Sequence, residues 1–149
     1  MADLQISKER QVMKMKMRES QCGEKLPEAE LDIMLVLWQQ KRPMKVIEIL
    51  KELKDTRDWK KPTLQVLLGR LEARGFLKVT QEANYHLYEP LIMEDEYRMV
   101  ESQHFLKKMC RGSFRTLVAS FVKLNQISDR ELQELYTLLE ERKAPQERD

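Results

Sequence analysis

The stretch WKKPTLQVLLGRLEARG, residues 59–75, holds the side chains of this sequence best suited to recognising another polymer. At helical spacing Leu64, Leu67, Leu68 and Leu71 fall on one side. The opposite side then carries Thr63, Gln65, Val66, Gly69 and Arg70. A glutamine amide donates and accepts at once and so matches adenine, a guanidinium forks onto guanine, and threonine or valine methyls meet the methyl of thymine. Lys60, Lys61 and Arg74 bracket this helix with charges suited to phosphate, and Lys45 and Asn84 join them as candidates. The polar side of an ordinary surface helix would look similar. Val66 and Gly69 tip the balance slightly toward a reading surface, since an exposed apolar residue and a mid-helix glycine need a reason.

No other constellation offers comparable chemistry. His86 and His104 are far apart, with no cysteine or carboxylate at ligand spacing, so surface or structural roles are expected for both. Met13, Met15 and Met17 alternate, and thioethers can bind Cu(I). The same run fits a polar arm or surplus start codons, and no metal or cofactor is expected. Cys22 has no activating neighbour, and Cys110 suits a small core residue. No Ser-His-Asp order, phosphate loop or carboxylate pair stands out, so catalysis has no anchor and a non-enzyme is expected.

Positioning the candidate residues requires a particular order of elements. Residues 1–25 lack an apolar stripe and read as a flexible polar arm. Pro27, with Glu28 and Glu30, opens a first helix whose inward stripe is expected to be Leu31, Met34, Leu35 and Trp38. A second helix follows Pro43 with Val46, Ile49, Leu50 and Leu53 inward. Pro62 sits in the first turn of the third, and Gly75 stops it. Phe76 to Thr80 and Tyr85 to Tyr88 read as two short strands around the turn Gln81-Glu82-Ala83-Asn84. Three helices followed by a hairpin is the order of a winged helix, with the third helix in a major groove and the hairpin against the backbone. The charge agrees. Residues 41–74 hold ten bases against five acids, whereas 26–40 hold three acids and no base. Trp38 and Trp59 are expected in packing.

Beyond Pro90 the sequence returns to helix, from about Met93 to Cys110. A second stripe follows in Phe114, Leu117, Val118 and Phe121. A third helix is capped by Ser128-Asp129-Arg130-Glu131 and carries Leu132, Leu135, Tyr136 and Leu139. Helices of this size bury little alone, so a second copy is expected to cover Phe105, Phe114, Leu117, Val118, Phe121, Leu132, Leu135 and Leu139. The expected architecture is mostly α with a small β-hairpin: a winged helix-turn-helix domain at 26–91 and a helical dimerisation domain at 92–142. A polar tail is expected at 143–149.

The segments LPEAELDIMLVLW, WKKPTLQVLLGRLEARGFL, YHLYEP and SQHFLKK, with SF-TLVASFV and the run through ELYTLLEE, resemble the penicillinase and methicillin-resistance repressor family from about Leu26 to Arg142. The resemblance implies a winged helix that binds palindromic operator DNA of β-lactam resistance genes as a homodimer. It implies release when a membrane sensor protease system leads to cutting of the repressor. The bond cut in that family, just before a phenylalanine, maps onto Ser120–Phe121. Some positions depart from the family pattern. Pro62 stands where a basic residue is usual, Val66 replaces a DNA-contacting threonine, and Ala83-Asn84 replaces a Gly-Arg pair at the wing tip. Ser120 replaces an asparagine or alanine. The ending KAPQERD lacks the cysteine cluster of copper-responsive relatives.

The resulting expectation is a cytoplasmic repressor, since the longest apolar run, Ile33 to Trp38, is too short for a bilayer and no signal-peptide pattern opens the sequence. Two alternatives stand beside it: a winged-helix adaptor that binds protein without DNA, and a repressor of the same family answering another signal.

Overall fold

A computed structural model describes residues 25–147, with side chains through residue 143. The expected arm up to residue 24, including Met13, Met15, Met17 and Cys22, lies outside the described residues, as do Arg148 and Asp149. The helices are α1 (Glu28–Gln40), α2 (Val46–Leu53), α3 (Lys61–Ala73), α4 (Glu94–Cys110), α5 (Phe114–Lys123) and α6 (Asp129–Glu147). The strands β1 (Leu77–Gln81) and β2 (His86–Pro90) lie between α3 and α4. The described chain divides after Ser102 into two compact units.

The first unit is a winged helix. Ile33, Met34 and Leu37 of α1, Ile49 and Leu53 of α2, and Leu64, Leu68 and Leu71 of α3 close on one another around Phe76. Each is at most 3% exposed, so each contributes on the order of 1.5–3 kcal/mol of burial. The end of α3 is a Schellman turn. Gly75, at φ +80°, donates its N–H to Glu72, and the Phe76 N–H reaches Leu71 O at 2.9 Å. That turn drops Phe76 into the core instead of onto the sheet. The strands therefore begin one residue later than the apolar pattern predicts, and the turn is Glu82-Ala83-Asn84-Tyr85. In the antiparallel register Val79 faces Tyr88 and Lys78 faces Glu89. Met44 exchanges two backbone hydrogen bonds with Tyr88, at 2.9 and 2.8 Å, and so ties the hairpin to the α1–α2 connection.

The inward side of α1 differs from the expected one. Leu35 is 44% exposed, while Ile33 and Leu37 are fully buried beside Met34 and Trp38. With IMLVLW contiguous, the period alone fits either side of the helix, and packing against α2, α3 and the hairpin chooses. Trp38 donates its indole N–H to Ile92 O at 2.8 Å and lies 5.7 Å from the Tyr97 ring, which also meets Phe76 edge-on at 5.9 Å. Ile92, Tyr97 and Val100 are buried. The first unit thus claims the early turns of α4.

The second unit holds α5 and α6. Ser113 caps α5 by accepting the Thr116 N–H at 3.1 Å. Ser128 and Glu131 form the expected capping box at the start of α6, each side chain accepting the other's backbone N–H at 3.2 Å. That helix continues to Glu147, past the expected end at Arg142. No apolar residue of α5 is fully buried.

Candidate nucleic-acid interface

Helix α3 owes its two-sidedness to its leucines. With Leu64, Leu68 and Leu71 buried, Thr63, Gln65, Val66, Gly69 and Arg70 are all exposed. Pro62 lies in the first turn, where its missing N–H costs nothing. Lys60 and Lys61 project at that end, both exposed.

An open groove of about 520 Å³ runs between α2, the start of α3 and the hairpin turn. Its walls include Lys45, Lys61, Gln65 and Asn84, four expected contact residues drawn from three separate stretches of sequence. Ile47, Tyr85 and His86 line it as well, and none of the three is among the contacts expected from sequence. Ile47 had a legible signal: it falls off the Val46–Ile49–Leu50–Leu53 stripe and yet is apolar. Tyr85 had none, because its place depends on how the hairpin folds back.

The Lys45 ammonium stands 4.0 Å over the Tyr85 ring, a cation–π contact joining the beginning of α2 to the hairpin turn. The Lys45 backbone N–H donates to Glu48 Oε1 at 3.1 Å, and Arg42 pairs with Glu48 Oε2 at 2.7 Å. The backbone hydrogen bond first, and the Arg42 hydrogen bond second, hold the Glu48 carboxyl below the ordinary glutamate range. The carboxylate therefore stays ionised and fixes the entry to α2. Burial, with the Glu72 charge adding to it, pushes the Tyr88 phenol up, so Tyr88 is neutral there.

Arg74, expected to meet a phosphate, has a partner within the protein. Its guanidinium lies 3.3 Å from Glu30 Oε2 and 5.8 Å from the Phe76 ring. Glu30 is 3% exposed, and a buried carboxylate needs its counter-charge. Arg74 thus braces α3 against α1. The Arg57–Asp32 pair at 2.8 Å does the same for the α2–α3 connection.

In the second unit, Phe105, Phe114, Phe121 and Leu139 are 46–51% exposed, Leu132 is 37% exposed, and Leu117, Val118 and Leu135 are half-buried. A groove of about 510 Å³ between α5 and α6 is lined by Phe114, Val118, Leu132, Leu135 and Leu139, with Val122 and Tyr136 beside them. The Ser120–Phe121 bond lies inside α5. Ser120 Oγ donates to Thr116 O at 3.0 Å, and Ser120 O accepts the Leu124 N–H at 3.2 Å. Among the described residues no His, Cys, Asp or Glu cluster could hold a metal, and no helix is long and apolar enough to cross a membrane.

Comparison with known proteins finds relatives over most of the described chain. The family description "Penicillinase repressor" matches residues 26–141. The penicillinase repressor of Bacillus licheniformis is 36% identical over 118 residues, covering 79% of this chain and 91% of that protein. The methicillin resistance regulatory protein MecI of Mammaliicoccus sciuri is 30% identical, covering 74% of this chain and 89% of its own. Among solved structures, the Bacillus licheniformis BlaI monomeric form in complex with the blaP half-operator aligns with 34% identity and a TM-score of 0.42, covering 50% of this chain and 89% of that one. Because the family match runs from the first residue of the winged-helix core into α6, the chain belongs to the penicillinase repressor family.

Proposed function

We propose that this protein is a cytoplasmic, dimeric transcriptional repressor that reads a palindromic operator with α3 and is switched off by cutting within α5. The observation that carries the DNA reading is the convergence of Lys45, Lys61, Gln65 and Asn84 on one groove beside the exposed face of α3. Gln65 and Arg70 supply hydrogen bonds for adenine and guanine edges, and Thr63 and Val66 supply methyls. Lys45, Lys60, Lys61 and Asn84 supply phosphate contacts that fix register. Arg74, held by Glu30, braces the helix from behind.

One winged helix reads one half-site. The exposed apolar residues of α5 and α6 support pairing with a second copy, and two copies suit half-sites about one helical turn apart. The names of the relatives support β-lactam resistance genes as targets, and the family resemblance, not those names, brings in a membrane sensor protease system as the upstream partner. The bond at Ser120–Phe121 is helical, so a protease reaches it after local opening of α5. Cutting there detaches α6 from the reading unit and removes the avidity of two linked half-sites.

The direct test is an electrophoretic mobility assay of the full-length protein with the DNA upstream of its own gene. A retarded complex that Lys61→Ala weakens, with a salt slope smaller by about one, supports the interface. Failure to retard this DNA or any duplex from a random pool overturns it. Mass spectrometry of the repressor from β-lactam-treated host cells tests the switch. Fragments ending at Ser120 support it, and intact repressor alongside full derepression rejects it.

A further inference from the structure

Ile47 is 73% exposed, and Val66 is 57% exposed. They exceed every other large apolar residue described in the first unit, where the next is Met99 at 50%. Both border the same basic surface: Ile47 lines the groove with Lys61 and Gln65, and Val66 follows Gln65 on the outer side of α3. An aliphatic side chain can neither bond a phosphate nor pair with a base edge. The apolar group that the major groove of DNA does present is the 5-methyl of thymine. We infer that Ile47 is a second methyl-reading residue, which extends base recognition from α3 onto the first turn of α2. This rests on the DNA reading proposed above and adds a specificity determinant that the recognition helix does not contain.

The experiment uses the full-length protein and the duplex it enriches most strongly from a random pool. Each thymine is replaced in turn by deoxyuridine, which removes one methyl and leaves every hydrogen-bonding edge intact. For the wild type, affinity falls by about fourfold at two or more thymines, the worth of one methyl taken out of water. Val66→Ala erases the deoxyuridine penalty at one of them, and Ile47→Ala erases it at a different one. The inference is overturned if Ile47→Ala keeps every penalty, if it weakens thymine and deoxyuridine duplexes alike, or if no thymine is sensitive apart from the Val66-dependent one. Enrichment of no duplex at all overturns the DNA reading itself, and this inference with it.

Discussion

In the first unit Ile33, Met34, Leu37, Leu64 and Phe76 are closed off from solvent, whereas beyond Ser102 Cys110 alone among the described residues is buried. The second unit does not lack apolar residues. Phe105, Phe114, Phe121, Val122, Leu124, Tyr136, Leu138 and Leu139 are all 46–66% exposed. The winged helix has three helices and a hairpin that cover one another's faces. Among the described residues, the later helices cover one another's apolar sides only in part. Exposed apolar surface on this scale marks an interface. The contrast teaches that one unit closes its core within a single chain, while the other leaves its apolar sides open, and on that exposed surface the proposed pairing of two copies rests.

The sharpest way to break that contrast is to charge the second unit. Leu135→Asp puts a carboxylate in the α5–α6 groove, which costs about 3–5 kcal/mol if a second copy buries it there unpaired. Sedimentation should report a dimer for the wild type at micromolar concentration and a monomer for the variant. Trp38 and Trp59 fluorescence should stay native, because both reporters belong to the first unit. A wild-type monomer would reject the contrast.

A matched pair of truncations follows in size. Leu37→Ala removes a fully buried side chain and should cost about 2–5 kcal/mol in denaturant unfolding followed by those tryptophans. Leu139→Ala, at a half-exposed position, should leave that transition in place and instead weaken self-association. Equal effects on both readouts would erase the distinction between the units.

On the reading surface, Gln65→Ala and Arg70→Ala should each weaken specific DNA binding by about 1–3 kcal/mol and leave stability and dimerisation unchanged. Titration of a mapped operator checks this, and wild-type binding by both variants would displace the recognition surface from α3.

Gly69→Ala separates folding from binding. The added Cβ meets nothing within 4 Å, so the variant should gain about 1 kcal/mol of helix stability and melt higher. If DNA backbone or bases approach α3 there, the same methyl lowers affinity. Unchanged affinity would mean that DNA stays clear of Gly69.

The smallest effect is acidic. The Glu48 pKa is depressed in the fold, so its contribution is present above the unfolded-state value and is lost as pH falls through the folded one. Thermal melts between about pH 5 and pH 3 should show this as a decline that Glu48→Gln flattens. Identical acid limbs for the two proteins would deny Glu48 its role at the start of α2.

Much of this molecule is legible in the sequence because its signals are local. Pro62, the leucine period of α3 and Gly75 mark a helix with a buried and an open side, and Ser128 with Glu131 marks the start of α6. The order of elements through the hairpin identifies a winged helix, and the segment motifs identify the family. Other features depend on partners distant in the chain, and only the tertiary structure decides them. IMLVLW is apolar on nearly every side, so its pattern has no phase, and burial of Ile33 and Leu37 instead of Leu35 follows from where α2 and α3 pack. Arg74 looks like any exposed base until Glu30, forty-four residues earlier, is brought within 3.3 Å of it. Lys45, Ile47 and Tyr85 form one surface because the Met44–Tyr88 hydrogen bonds hold the hairpin beside α2. Periodicity and capping act over a few residues, so one sequence can display them. A groove built from three segments exists when packing closes the chain between them.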